Sequence, residues 1–120
     1  MFWNFFFISG IENFKNLKHL FIAGNRITNL EGISTLDNLE ILHIRDNQIQ
    51  GFDEHFVDGC LKNLRYINLR ANNVDKMDEV KKLSVLPKLT ELILTDNPLV
   101  EEEDYWKGQK KIDKKRKTVL

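Results

Sequence analysis

One cysteine, Cys60, stands among 120 residues, so no internal disulfide can form and the composition fits a reducing, cytoplasmic compartment. An excess of charge is missing too. Eighteen basic and eighteen acidic side chains cancel, which leaves no global field to recruit nucleic acid or a membrane surface. No apolar run approaches the roughly 20 residues needed to span a bilayer. The most hydrophobic stretch, Met1-Phe2-Trp3-Asn4-Phe5-Phe6-Phe7-Ile8, lacks the basic start and small-residue cleavage site of a secretory signal. It reads as an irregular start packed on the body of the domain. Histidines are few: His19, His43 and His55, none with a cysteine or carboxylate at a metal-ligand spacing. A glycine-rich phosphate loop and a nucleophile elbow are both lacking. The expectation is a chain that is not an enzyme and uses no cofactor or metal.

What the chain has is repetition. The pattern Leu-x-x-Leu-x-Leu-x-x-Asn-x-Leu, with Ile or Val admitted at the apolar positions, occurs four times without error. Its copies are Leu17, Leu20, Ile22, Asn25, Ile27; Leu39, Leu42, Ile44, Asn47, Ile49; Leu64, Ile67, Leu69, Asn72, Val74; and Leu89, Leu92, Leu94, Asn97, Leu99. Starts at 17, 39, 64 and 89 give periods of 22, 25 and 25 residues, a solenoid spacing.

Each position has a physical task. The Leu-x-Leu pair alternates with period two, so it is a short strand with both apolar side chains on one face. The asparagine follows where the chain turns away and leaves backbone groups without ladder partners. Its amide donates and accepts at once, so a column of Asn25, Asn47, Asn72 and Asn97 can satisfy them. Between strands, residues 8–17 match residues 30–39 position for position, with apolar residues every third place, which suits a 3₁₀ or short helical return. The 25-residue units have room for true helical turns. In them Met77, Val80, Lys81, Leu83 and Leu86, and Phe52, Phe56 and Cys60, are expected to point inward. The fold class is therefore an α/β solenoid with parallel strands on the concave face and 3₁₀ or short helical returns on the convex face.

The ends depart from the pattern. Residues 1–7 form an atypical hydrophobic N-terminus, 8–105 the array, and 106–120 a basic tail expected to be disordered. Counting back one unit from Asn25 reaches Trp3 with no strand before it. Because solenoids need polar terminal caps, either Phe2, Trp3, Phe5, Phe6 and Phe7 fold over this end, or the chain is part of a longer array. Left uncapped, that edge predicts self-association. The acidic run Glu101-Glu102-Glu103-Asp104 suits the start of a helical turn and reads as a solvated cap. In the tail, the cluster from Lys110 to Lys117 has the look of a nuclear import signal or a nucleic-acid patch. The end Thr118-Val119-Leu120 has the form of a peptide that adds a strand to a PDZ domain. A solvated tail is the default.

The motifs resemble the leucine-rich repeat family, in the subclass with 22-residue units found in a protein phosphatase-1 regulator and in axonemal proteins. A nearer likeness, to ciliary radial-spoke members, is carried by three segments: Leu42-His43-Ile44-Arg45-Asp46-Asn47-Gln48-Ile49, Tyr66-Ile67-Asn68-Leu69-Arg70-Ala71-Asn72, and Leu86-Pro87-Lys88-Leu89 ahead of Leu94-Thr95-Asp96-Asn97-Pro98. Asn97-Pro98 followed by Tyr105 resembles the family's C-terminal cap, but Trp106 stands where an arginine is usual and the rest of the cap motif is absent. The resemblance implies a non-enzymatic scaffold of the motile cilium or flagellum, with axonemal protein partners. A soluble regulatory module, such as a protein phosphatase-1 targeting subunit, is the alternative implied by repeat type alone.

The repeat register also names a binding face. Residues between the core leucines point outward onto the concave sheet: His19, Phe21, Ala23; Ile41, His43, Arg45; Tyr66, Asn68, Arg70; Glu91, Ile93, Thr95. Phe21, Ile41, His43, Arg45, Tyr66, Asn68, Arg70, Glu91 and Ile93 are the candidate partner-binding residues, since aromatic and Arg side chains are enriched at binding hot spots. Arg45 and Arg70 share a column, where like charges cost stability unless an acidic group comes between them. Neither nucleic acid nor membrane is expected as a partner.

Overall fold

The computed structural model describes residues 10–53, 60–101 and 117–119. Four strands fall where the Leu-x-Leu pairs place them: β1 (His19–Phe21), β2 (Ile41–His43), β3 (Tyr66–Asn68) and β4 (Glu91–Ile93). They lie parallel in chain order, with His19, Ile41, Tyr66 and Glu91 in one row and Phe21, His43, Asn68 and Ile93 in another. Equivalent repeat positions become lateral neighbours, because each strand re-enters the sheet at the same point of its repeat.

The core lies between this sheet and the convex returns. Leu42, Ile44, Ile67, Leu69, Leu92 and Leu94 come from the strand side, and meet Ile33, Leu36, Leu83 and Leu86 from the returns, all of them buried. Truncating one such leucine to alanine costs about 2–5 kcal/mol. Leu17, Leu20 and Ile22 of the first repeat are only partly buried against the same core. A solenoid repeat is sealed by the repeat on each side of it, and among the described residues the first has a neighbour on one side only.

The returns differ with repeat length. Ile11–Asn13 and Ile33–Thr35 are single 3₁₀ turns, each entered through a glycine at positive φ, Gly10 at 80° and Gly32 at 91°. The unit before β4 is longer. It holds a helix, α1 (Met77–Lys81), which tightens into a 3₁₀ turn over Lys82–Val85. Asp78 and Glu79 in the first turn of α1 and Lys81 in its last oppose the helix dipole in the favourable sense. Val80, Leu83 and Leu86 are buried and Met77 packs against the core, but Lys81 is exposed and pairs with Asp78 at 3.6 Å. The expectation that Lys81 points inward is therefore corrected, because Val80 and Leu83 already fill the inward side of that turn. Phe52 is buried and Cys60 half-buried against the core, whereas Phe56 and His55 lie outside the described residues.

Glu79 and Lys82 fasten the two longer units together. Phe52 N–H donates to Glu79 Oε2 at 2.9 Å, and Lys82 Nζ donates to Phe52 O at 2.9 Å and to the same carboxylate. Burial pushes the Glu79 carboxyl upward, but the bonds from Lys82 and the Phe52 N–H outweigh it and hold it below its ordinary value. Glycine at position 51 is required by this arrangement, since a Cβ there would stand 2.5 Å from the Glu79 carboxylate.

The tail brings a second correction. Lys117–Val119 form β5, parallel to β4, with Lys117 beside Glu91 and Val119 beside Ile93. The expectation of disorder across 106–120 does not hold there, because β4 offers an edge with unpaired backbone groups and Lys-Thr-Val suits an extended chain. Residues 106–116 and 120 lie outside the described residues, as do the hydrophobic N-terminus 1–9 and the stretch 102–105.

Candidate functional site

The concave face is built on a column of asparagines. Asn47, Asn72 and Asn97 are buried, and each uses both ends of its amide. Asn47 Nδ2 donates to Ile22 O at 2.8 Å, Ile44 O at 3.0 Å and Arg45 O at 3.1 Å, while its Oδ1 accepts from Ile27 N–H at 3.2 Å. Asn72 serves Ile44 O, Leu69 O and Arg70 O, and accepts from Ile49 N–H. Asn97 serves Leu69 O, Leu94 O and Thr95 O, and accepts from Val74 N–H. Every one of these bridges its own turn to the preceding repeat. Asn25 is different: it donates to Ala23 O, and its buried Oδ1 has no partner among the described residues.

A second ladder, not read from the repeat motif, runs along the other end of the strands. Asn38 Nδ2 donates to Lys15 O and Asn63 Nδ2 to Asp37 O, and Lys88 Nζ donates to Asn63 Oδ1. The signal was available, since Asn16, Asn38 and Asn63 each precede a repeat-initiating leucine.

The residue before each motif asparagine turns the chain with positive φ: Gly24 at 71°, Asp46 at 56°, Ala71 at 56° and Asp96 at 60°. Aspartate and glycine accept this conformation readily, alanine less so. The turn also settles the arginines. Arg70 Nε donates to Asp96 Oδ2 at 2.9 Å, and Arg45 Nε lies 3.5 Å from Asp46 Oδ2. The like-charge conflict expected between Arg45 and Arg70 is thus already answered from within the chain, by acids that the left-handed turns carry to the same rim.

Across the middle of the face runs a row of rings. Phe21 stacks on His43 with centroids 5.6 Å apart and planes 27° from parallel, and His43 stacks on Tyr66 at 6.3 Å and 28°. His19 meets Phe21 edge-on at 6.5 Å. Phe21 keeps 65% of its surface exposed, a large apolar ring left in solvent.

Asn68 is buried at the foot of this row rather than displayed on it. Its Oδ1 accepts from Arg70 N–H at 3.0 Å, which sets the amide so that Nδ2 faces His43 Nε2 at 3.0 Å and Tyr66 Oη at 3.3 Å. An amide nitrogen can only donate, so His43 Nε2 accepts and the ring is neutral there. Burial first, and the charge of Arg45 second, hold the His43 pKa below its ordinary value, in agreement with that tautomer. Ile41, Glu91 and Ile93 complete the face, all half-buried. Such a surface offers stacking, apolar contact and guanidinium hydrogen bonds, which are means of recognition. Among the described residues no group of three or more His, Cys, Asp or Glu could hold a metal ion, and no helix is long and apolar enough to cross a membrane.

Comparison with known proteins agrees with this architecture. The family described as Leucine rich repeat matches residues 37–99, and a two-copy pattern, Leucine Rich repeats, matches residues 15–56. Leucine-rich repeat-containing protein 23 of Bos taurus is 45% identical over 90 residues, covering 72% of this chain and 25% of that protein. Its counterpart in Xenopus tropicalis is 50% identical over 82 residues, covering 66% of this chain and 22% of that protein. The chain thus spans about a quarter of the length of the curated relatives it matches. A solved leucine-rich repeat protein of Leptospira interrogans superposes with a TM-score of 0.72 at 25% identity, over 92% of this chain and 27% of that one. Repeat pattern, parallel sheet, asparagine column and sequence match converge: the chain belongs to the leucine-rich repeat family.

Proposed function

We propose that this array is a non-enzymatic scaffold module that holds a protein partner on its concave face, within the axoneme of the motile cilium, at the radial spoke. The observation that carries the binding reading is the ring row, with Phe21, Arg45 and Arg70 all exposed on the same side of the array. Burying such side chains is where association gains most of its free energy. The ciliary part rests on the likeness of the strand motifs to ciliary family members and on the two relatives named leucine-rich repeat-containing protein 23. The phosphatase-targeting alternative is supported by repeat type alone.

Two measurements test the reading. Antibody staining of ciliated cells should mark the axoneme, and diffuse cytoplasmic staining would favour the regulatory alternative. A pulldown from axonemal extract should lose its partner with Arg45→Glu/Arg70→Glu and keep it with Lys81→Glu on the convex helix. Equal recovery by both folded variants would move the binding surface elsewhere.

A further inference from the structure

We infer that the concave face takes an extended peptide of its partner in which an aromatic or branched apolar side chain stands two residues from a carboxylate. This rests on the concave-face reading and adds the chemistry of what binds there.

The geometry comes from two neighbouring columns of unlike character. One holds Phe21, His43, Asn68 and Ile93, with Phe21 exposed at its end and its ring stacked on His43. The next holds Ala23, Arg45, Arg70 and Thr95, two residues further along the same strands. Two strand residues span about 6.7 Å, which is also the distance from one side chain of an extended peptide to the next on the same side. A peptide laid along the strands can therefore place an apolar side chain against Phe21 and His43 and the following same-side residue beside Arg45. Ala23 has only a methyl group, so the space beyond Phe21 and beside Arg45 is not filled by its own strand.

The arginines suit a carboxylate in particular. Arg70 is bonded to Asp96 through Nε, and Arg45 approaches Asp46 through Nε, so among the described residues the terminal Nη nitrogens of both make no hydrogen bond. Asp96 bonds the Arg70 guanidinium and Asp46 lies near that of Arg45, both on the Nε side, which leaves the planar end for a bidentate acceptor. Neighbouring strands lie about 4.8 Å apart, so one carboxylate can reach both arginines. On the other side of the Phe21 column stand His19, Ile41, Tyr66 and Glu91, with Glu40 beside His19. An acid there would meet no arginine on that column and would face a like charge in Glu40. The face thus sets the spacing between anchor and acid, and the side of the anchor on which the acid lies.

The test is an array of nine-residue Gly/Ser peptides carrying one Phe and one Asp separated by zero to four residues, with Phe→Ala and Asp→Asn versions of each, probed with the full chain. The peptide with one intervening residue should bind about tenfold more tightly than its neighbours in spacing, a difference of about 1.4 kcal/mol. Arg45→Gln/Arg70→Gln should abolish the preference for Asp over Asn and keep that for Phe over Ala, and Phe21→Ala should do the reverse. Equal binding at all spacings, equal binding of Asp and Asn peptides, or no binding to any peptide would overturn the inference. If the array fails while the arginine double variant still loses its axonemal partner, the concave-face reading survives and this one falls. If both fail, both fall.

Discussion

Replacing the motif asparagines by leucine should reveal a graded ladder, and the grading can be worked out bond by bond. Asn47→Leu removes four hydrogen bonds, but not every partner is stranded. Ile44 O keeps the bond from Asn72 Nδ2, and Arg45 O keeps the bond from Gly24 N–H. Ile27 N–H and Ile22 O are left without a partner, the first fully buried and the second partly. A buried group left unsatisfied costs about 1–3 kcal/mol, so the loss should be about 2–4 kcal/mol, less at the wetter Ile22 carbonyl. Asn72→Leu strands only Ile49 N–H, since Ile44 O keeps Asn47, Leu69 O keeps Asn97 and Arg70 O keeps Asp46 N–H. That variant should lose about 1–3 kcal/mol. Asn25→Leu removes one bond to Ala23 O and an acceptor already without a partner, so it should cost less than either. Urea titration followed by circular dichroism reads the order directly, provided the slope with denaturant is unchanged. Equal losses for Asn47→Leu and Asn25→Leu would refute the reasoning, because the substitution is the same in both and Asn47 strands two partners that Asn25 does not.

Three further outcomes are expected. Ala71→Gly should raise stability by about 0.5–1 kcal/mol, since alanine at φ 56° carries left-handed strain that exceeds the backbone entropy glycine loses; no gain in the same titration would count against strain at that turn. His43 has a folded pKa below its unfolded one, so its contribution is complete above the unfolded value and is lost as pH falls through the folded value. The melting temperature should drop on acidification below the ordinary histidine range, and His43→Gln should flatten that drop; parallel profiles would remove His43 as the cause. Gly51→Ala should weaken the chain by a similar amount to Glu79→Ala, about 1–2 kcal/mol, and the double variant should cost little more than either alone, because both break the same bond to Phe52 N–H. Full additivity by thermal melts would show that Gly51 acts through something else.

Four copies of one pattern are enough to determine the architecture by themselves. A repeat unit contacts only its neighbours, so identical spacing of Leu, Leu and Asn forces identical strands into lateral register, and Phe21, His43, Asn68 and Ile93 line up without any distant contact being known. The asparagine column follows for the same reason. What the linear order could not contain is how non-repeating side chains settle once the register brings them together. Asn68 looks like a displayed polar residue in the alternation, yet it is buried, because His43 and Tyr66 close over it and Arg70 N–H holds its amide. The arginine pair reads as a conflict until the left-handed turns at Asp46 and Asp96 swing their carboxylates alongside. Glu79 reaches back 27 residues to Phe52, and Lys117–Val119 take up the β4 edge, although neither belongs to the motif. Periodicity specifies the backbone because each copy repeats the same local solution. The chemistry of the face depends on the residues that differ between copies, and only their meeting in space decides it.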